Sequence, residues 1–143
     1  QGQQTTEQEE DIPVNISGMK VLLVEDNAIN CEIVQYMLED AGAVVVIAEN
    51  GKVAVDTFTA AEYGAFDCIL MDVMMPVMNG LDATRAIRNL DRPDAESVPI
   101  IGLSANAFEE DVVKAREAGM NEHLTKPVDM EKMFKVMWQL RKK

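Results

Sequence analysis

Aromatic residues make up only 5% of this 143-residue chain, which has two cysteines and a single tryptophan. With so few rings, the core must be built from Val, Ile, Leu, Met and Ala, which supply most of the 48% apolar content. Cys31 and Cys68 fall in a helical pattern and an apolar strand pattern, with no metal-ligand spacing between them. They read as buried structural thiols, not as a disulfide or a nucleophile. Basic residues are scarce: 13 Lys and Arg stand against 25 Asp and Glu, a net charge of −12. Nucleic acid is thereby excluded as a direct partner, because phosphate contacts need clustered cations. Most of the acids serve solubility, and a basic or metal-bearing partner surface suits the remainder. No apolar run approaches the roughly 18–20 residues of a membrane span. The N-terminus shows no signal-peptide pattern. Direct membrane contact is therefore not expected, and a cytoplasmic location is.

Residues 1–18 are polar, acidic and without aromatics. They cannot bury enough apolar surface to order themselves, so a disordered linker or an appended tail is expected there. Residues 19–143 form the domain. Strand and helix patterns alternate through it. Apolar runs predict strands at 20–24, 44–48, 66–71, 98–103 and 122–125. Asn27 can cap a helix whose apolar positions are Ile29, Ile33, Val34, Met37, Leu38 and Ala41, and Gly42 ends it. Further helices are expected from Asn50 to Ala61, Leu81 to Leu90, Phe108 to Ala118 and Val128 to Leu140, with a loop at Arg92-Pro93-Asp94. Five strands alternating with five helices predict an α/β fold, a doubly wound five-stranded parallel sheet covered on both faces. Strand order 2-1-3-4-5, flavodoxin-like (βα)5, brings the polar ends of strands one and three together at the switch point.

Those strand ends carry the chemistry. Asp72 closes the third apolar run, before a loop turned by Pro76 and Gly80. Glu25 and Asp26 close the first, Ser104 the fourth, and Lys126-Pro127 the fifth. Three clustered carboxylates repel one another strongly unless protons or a cation neutralise them. Carboxylates without nearby His or Cys suit Mg²⁺ rather than zinc. A lysine is a point-charge binder of phosphate oxygens, and a serine adds a hydroxyl donor. Together they fit phosphoryl transfer, in which positioning and charge neutralisation do most of the catalysis. A carboxylate can be the nucleophile, and Asp72 on the central strand is the candidate.

Four strings stand at these positions: VEDN at 24–27, MDVMMPVMNG at 71–80, LSANA at 103–107 and LTKP at 124–127. In this order they resemble the receiver domain of two-component response regulators, over residues 19–141. VEDNAIN, DVMMPVMNG and AGMNEHLTKP look most like receivers attached to hybrid sensor histidine kinases. The resemblance implies that Asp72 is the phosphoacceptor. It implies a Mg²⁺ site of Asp26, Asp72 and the Met74 carbonyl, with Glu25 acting through water. Ser104 would bond the phosphoryl group, Lys126 would bind it, and the bond to Pro127 would be cis. Ser104 and His123 occupy the switch positions, where His123 replaces a commoner Tyr or Phe.

The implied function is that of a phosphorelay receiver. It takes a phosphoryl group from the phosphohistidine of a histidine kinase or a histidine phosphotransfer protein. It then changes its affinity for a partner through the face of the 108–118 helix, the fifth strand and the last helix, with homodimerisation on phosphorylation left open. Such a domain catalyses its own phosphorylation and dephosphorylation but is primarily a signalling switch, on its own or as the cytoplasmic part of a membrane-bound kinase. The end at Arg141-Lys142-Lys143, straight after the last helix, fits a single-domain regulator, a phosphorelay intermediate or a receiver taken from a longer kinase, and the polar leader favours the last.

Two other classes use similar parts. An aspartyl-phosphate phosphatase of the haloacid dehalogenase type needs a second Asp two residues after the nucleophile, where this chain has Met74. A phosphorylation-independent binding module would not need the complete set of acids and lysine. Blander roles exist for single residues. Glu25 and Asp26 could serve a helix dipole, Ser104 could cap the 108–118 helix, and His123 could be a surface residue.

Overall fold

The computed structural model describes residues 14–75, 77–105 and 108–141. Strands β1 (Lys20–Val24), β2 (Val44–Ala48), β3 (Cys68–Asp72), β4 (Ile100–Ser104) and β5 (Glu122–Thr125) form one parallel sheet in the order β2-β1-β3-β4-β5. The helices are α1 (Ala28–Asp40), α2 (Gly51–Ala60), α3 (Gly80–Arg88), a short α4 (Asp94–Ser97), α5 (Glu109–Ala118) and α6 (Met130–Leu140). α4 replaces the loop expected at Arg92-Pro93-Asp94. Pro93, already in helical backbone, starts the turn, and a bidentate Arg92–Asp94 pair braces it at 2.6 and 3.0 Å.

Side chains that do not favour helix interiors set the helix starts. Asn27, Asn50 and Asn79 each accept the backbone N–H three residues on, and Asp129 accepts those of Glu131 and Lys132. α5 stops at Gly119, whose left-handed φ of 113° suits glycine.

β3 and β4 are buried along their whole length. Alternate side chains feed two cores. Val21, Leu23, Leu70, Ile101 and Leu103 pack with residues of α1 and α6. Leu22, Val24, Ile69, Met71 and Ile100 pack with residues of α2, α3 and α5. At ~25 cal/mol per Å² of apolar surface, these two layers are the main favourable contribution to folding.

Two further expectations need correction. The disorder expected for residues 1–18 does not hold for the described residues 14–18. Ile16 is buried in the α1/α6 core, and the Gly18 N–H donates to the Gly42 carbonyl at 2.9 Å. The buried Ile16 side chain and this backbone bond together hold that stretch; residues 1–13 lie outside the described ones. The buried face of α1 also differs. Cys31 and Leu38 are buried, whereas Ile29 is 70% and Ile33 56% exposed. α1 carries two apolar stripes, and only the one through Cys31, Val34 and Leu38 can face the sheet. Pro76 and Asn106 lie outside the described residues.

Candidate active site at the carboxyl ends of β1, β3 and β5

Asp72 is the last residue of β3, and only 3% of it is exposed. β1 is its neighbour in the sheet, so the loop after Val24 brings Glu25 and Asp26 alongside. Glu25 is buried and Asp26 exposed. Carboxylate oxygens of Glu25, Asp26 and Asp72 all lie within 4.8 Å of one another. Gly80 lets α3 begin directly behind this cluster. A methyl group there would run into the Asp72 backbone carbonyl.

Lys126 follows β5 and reaches over from the other side. Its Nζ lies 3.1 Å from Asp72 Oδ2 and 3.3 Å from Glu25 Oε1. The Lys126–Pro127 peptide is cis. The Lys126 N–H donates to the Ser104 carbonyl at 2.7 Å, which ties the end of β5 to the end of β4. Glu25 Oε2 accepts the Asn27 N–H at 3.2 Å, and Asp72 Oδ1 accepts the Met74 N–H at 3.3 Å. The Met74 side chain is out in solvent.

Burial, and then Glu25 beside it, push the Asp72 carboxyl up to about 7, against the opposing pull of Lys126. Burial alone would lower the Lys126 ammonium. Asp72 and Glu25 outweigh it and raise the lysine above its ordinary value. The site thus holds more negative than positive charge, with Glu25 and Asp72 buried and Asp26 open to solvent.

Ser104 ends β4, buried, with Oγ 2.7 Å from His123 Nε2. It is not a helix cap, since α5 starts at Glu109 with Phe108 in the cap position. Cys31 and Cys68 are buried free thiols, and burial drives the Cys68 thiol far above its ordinary value. Neither is a nucleophile.

The geometry therefore brings Glu25, Asp26, Asp72 and Lys126 together and pairs Ser104 with His123. It also shows what the pattern of residues did not. A groove of about 400 Å³ runs beside Glu25 and Lys126, lined by Asn30, Ile33, Val34, Leu103, Pro127 and Met130. Its one early sign was an apolar stripe on α1 too wide for the core. The donor set tests well for Mg²⁺. All the acids offer oxygen, one is exposed enough to keep metal-bound water, and their mutual repulsion calls for a cation.

Residues 21–137 match the family model for the response regulator receiver domain. A hybrid signal transduction histidine kinase of Dictyostelium discoideum is 35% identical over 87% of this chain, which spans 8% of that protein. The sensor protein GacS of Pseudomonas syringae is 40% identical over 87% of the chain, here 14% of the relative. The chain thus corresponds to a small part of these relatives. Among solved structures, the receiver domain of a sensor histidine kinase of Pseudomonas aeruginosa superposes with a TM-score of 0.79 at 35% identity, covering 89% of this chain and 100% of that one. That structure holds a magnesium ion coordinated in its active-site cleft. A Saccharomyces cerevisiae response-regulator receiver, crystallised with a histidine phosphotransfer protein, matches with a TM-score of 0.73 at 30% identity, covering 85% of this chain and 87% of that one. With the model match spanning most of the chain and the site built on the ends of β1, β3 and β5, the chain belongs to the response regulator receiver domain family.

Proposed function

We propose that the domain accepts a phosphoryl group on Asp72 from the phosphohistidine of a histidine kinase or a histidine phosphotransfer protein. The observation that carries this reading is the Lys126 ammonium, 3.1 Å from Asp72 within a cluster of three acids. An Asp72 carboxylate oxygen attacks phosphorus, the P–N bond to the donor imidazole breaks, and the departing ring nitrogen keeps the bonding pair. Lys126 neutralises charge on the phosphoryl oxygens, and Ser104 donates to one of them. Asp26, Asp72 and the Met74 carbonyl would hold Mg²⁺, with Glu25 acting through water. Bound there, the metal would neutralise charge on the transferring group.

The exposed stripe of Ile29 and Ile33, continuous with the apolar groove beside Lys126, gives the donor a surface to approach. A cytoplasmic setting follows from such a donor. Met74, where the phosphatase alternative needs a general acid, has no acidic proton to give, which favours a switch over turnover. Incubation with Mg²⁺ and acetyl phosphate, followed by peptide mass mapping, tests the reading. Labile phosphate on Asp72 is expected. Phosphate confined to another residue, or none at all, would count against it, and rapid multiple turnover would favour a phosphatase.

A further inference from the structure

Arg88, the last residue of α3, is a half-buried cation that the phosphoryl site does not use. Its guanidinium donates to three separate segments. Nε reaches the Gly119 carbonyl at 2.9 Å, Nη1 the Ala95 carbonyl at 3.0 Å and Nη2 the Oδ1 of Asn121 at 2.9 Å. The same Asn121 oxygen accepts the Ile100 N–H at 2.8 Å, and the Asn121 N–H donates to the Ile100 carbonyl at 2.8 Å. One side chain thus joins the end of α3, the short α4, the end of α5 and the starts of β4 and β5. A methyl group on Gly119 would run into the aliphatic stem of Arg88. All three acceptors are neutral oxygens, and among the described residues Arg88 pairs with no carboxylate. Burial pulls the guanidinium below its ordinary value. A cation drawn out of water without a counter-ion is tolerated only while such bonds hold, so parting these segments leaves a charge short of partners.

The two ends of α5 are held very differently. β4 ends at Ser104, beside the site, and α5 runs back from there to Asn121, beside the first residue of β4. None of residues 109–114 is buried, whereas Ala115, Ala118 and Met120 are. Phe108 stands in the cap position, 65% exposed, and among the described residues no side chain caps the helix. At the other end the Met120 N–H returns to the Ala115 carbonyl at 3.0 Å, and Arg88 grips both Gly119 and Asn121.

We infer that Arg88 makes the C-terminal end of α5 a pivot: the helix opens and swings at the end beside the site, while Gly119 stays fixed to α3. The planar fork of an arginine is what allows one side chain to bond in three directions. The pivot is a property of the fold whatever reaches Asp72; its use in signalling rests on Asp72 being the phosphoacceptor. A shift at the β4–β5 edge then moves Phe108 and Val113 far and Ala118 little. The exposed first turns of α5 are the part whose position a partner reads.

Amide hydrogen exchange of the unphosphorylated protein, followed residue by residue by NMR, tests the pivot. Corrected for intrinsic rates, the amides of Val113 and Lys114 should exchange at least about tenfold faster than those of Ala118 and Met120. Arg88→Lys keeps the charge but can fill only one of the three positions. Protection at Ala118 and Met120 should then fall at least about tenfold relative to Leu22 and Leu70. Those two sheet residues report global unfolding, so the ratio removes any general loss of stability. Equal protection at the two ends of α5 in wild type overturns the proposal, as does an unchanged ratio in Arg88→Lys. Asn121→Asp sets a carboxylate against the guanidinium at a solvent-exposed position and should raise the same ratio about threefold. Should Arg88→Lys not fold, this variant decides alone, and no rise overturns the proposal.

Beryllium trifluoride, a mimic of the acyl phosphate, gives a second arm in Mg²⁺ buffer. Amide shifts should change along residues 109–114 and stay small at Gly119 and Asn121 in wild type. In Arg88→Lys the changes should extend to Gly119 and Asn121. Changes at Gly119 as large as those at Val112 in wild type defeat the pivot alone. No change anywhere in the protein on adding the mimic defeats the phosphoacceptor reading and leaves the exchange result standing.

Discussion

Asp72→Asn should stabilise the metal-free fold, although it removes the candidate nucleophile. The folded carboxyl titrates at about 7 against an ordinary 3.8, because it is buried and faces Glu25. A folded value raised above the unfolded one means that full stability is present below the unfolded value and is lost as pH rises through the folded one. The loss accumulates between about pH 4 and 7 and is complete by pH 8. The gap corresponds to about 4 kcal/mol as an upper bound. Water entering from the exposed Asp26 side and small shifts of Glu25 relax part of it, which leaves about 2 kcal/mol. The amide keeps the shape of the carboxyl and adds N–H donors facing Glu25. For a domain of this size that is roughly a 6 °C rise in Tm. At pH 4.5 the linkage leaves about a quarter of the difference, because the unfolded carboxyl is then only partly favoured as its anion. The assay is thermal and urea unfolding of both proteins at pH 4.5 and 8, with chelator. Adding Mg²⁺ at tenfold its Kd should stabilise wild type by about 1.4 kcal/mol and narrow the gap. An Asp72→Asn protein no more stable than wild type at pH 8 in chelator would refute the reasoning, as would a gap independent of pH.

Other changes to the site have different expected signs. Asp26→Asn should weaken Mg²⁺ binding at least about tenfold, a loss of ~1.4 kcal/mol, with little change in Tm because Asp26 is exposed; calorimetric titration decides this. Lys126→Ala removes the cation between Asp72 and Glu25. It should cost ~1–3 kcal/mol in chelator at pH 8, measured by urea unfolding, and less at pH 4.5. Met74→Asn places an amide two residues after the phosphoacceptor, where it can hold a water in line with phosphorus. Loss of phosphate should accelerate about tenfold, or ~1.4 kcal/mol of barrier, followed as decay of labelled protein after donor removal. Val77, in the left-handed region at φ 69°, is a β-branched residue in glycine's conformation. Val77→Gly should therefore stabilise by ~0.5–1 kcal/mol in the same urea assay, strain relief exceeding the added backbone entropy.

The strands and the meeting of Glu25, Asp26, Asp72 and Lys126 were legible because each rests on local chemistry. Four helix starts carry Asn or Asp at the cap, and the strands read as near-continuous apolar runs because both faces of the sheet are covered. Strand order could be argued from Asp72 and Glu25-Asp26, since acids at two strand ends that form one site must meet at the switch point. What was illegible depends on choices that only packing makes. Ile29 and Ile33 have the same spacing as core residues, yet they face outward. The short helix at Asp94 depends on Arg92 reaching back to the Phe58 and Thr59 carbonyls, 34 and 33 residues away. Ile16, one apolar residue in a polar leader, carries no period at all.

If Asp72 is the phosphoacceptor proposed above, the distribution of burial says where movement would cost least. β3 is buried at every residue and paired on both sides, so Asp72 cannot shift without opening the core. β5 is an edge strand with exposed residues at both ends, and its displacement exposes little that is apolar. Lys126 ties that edge to Asp72 through its ammonium and to β4 through its N–H bond to Ser104. A phosphoryl group arriving on Asp72 competes with Glu25 for the same ammonium. The side that yields is the one with less to lose, the β4–β5 edge and the α5 helix packed against it. That helix presents Phe108 and Val113, both exposed, beside Glu109, Glu110 and Glu117. On the proposed function, charge crowded at the end of a rigid strand would be converted into movement of a soft one, and an apolar and acidic helix face would move with it.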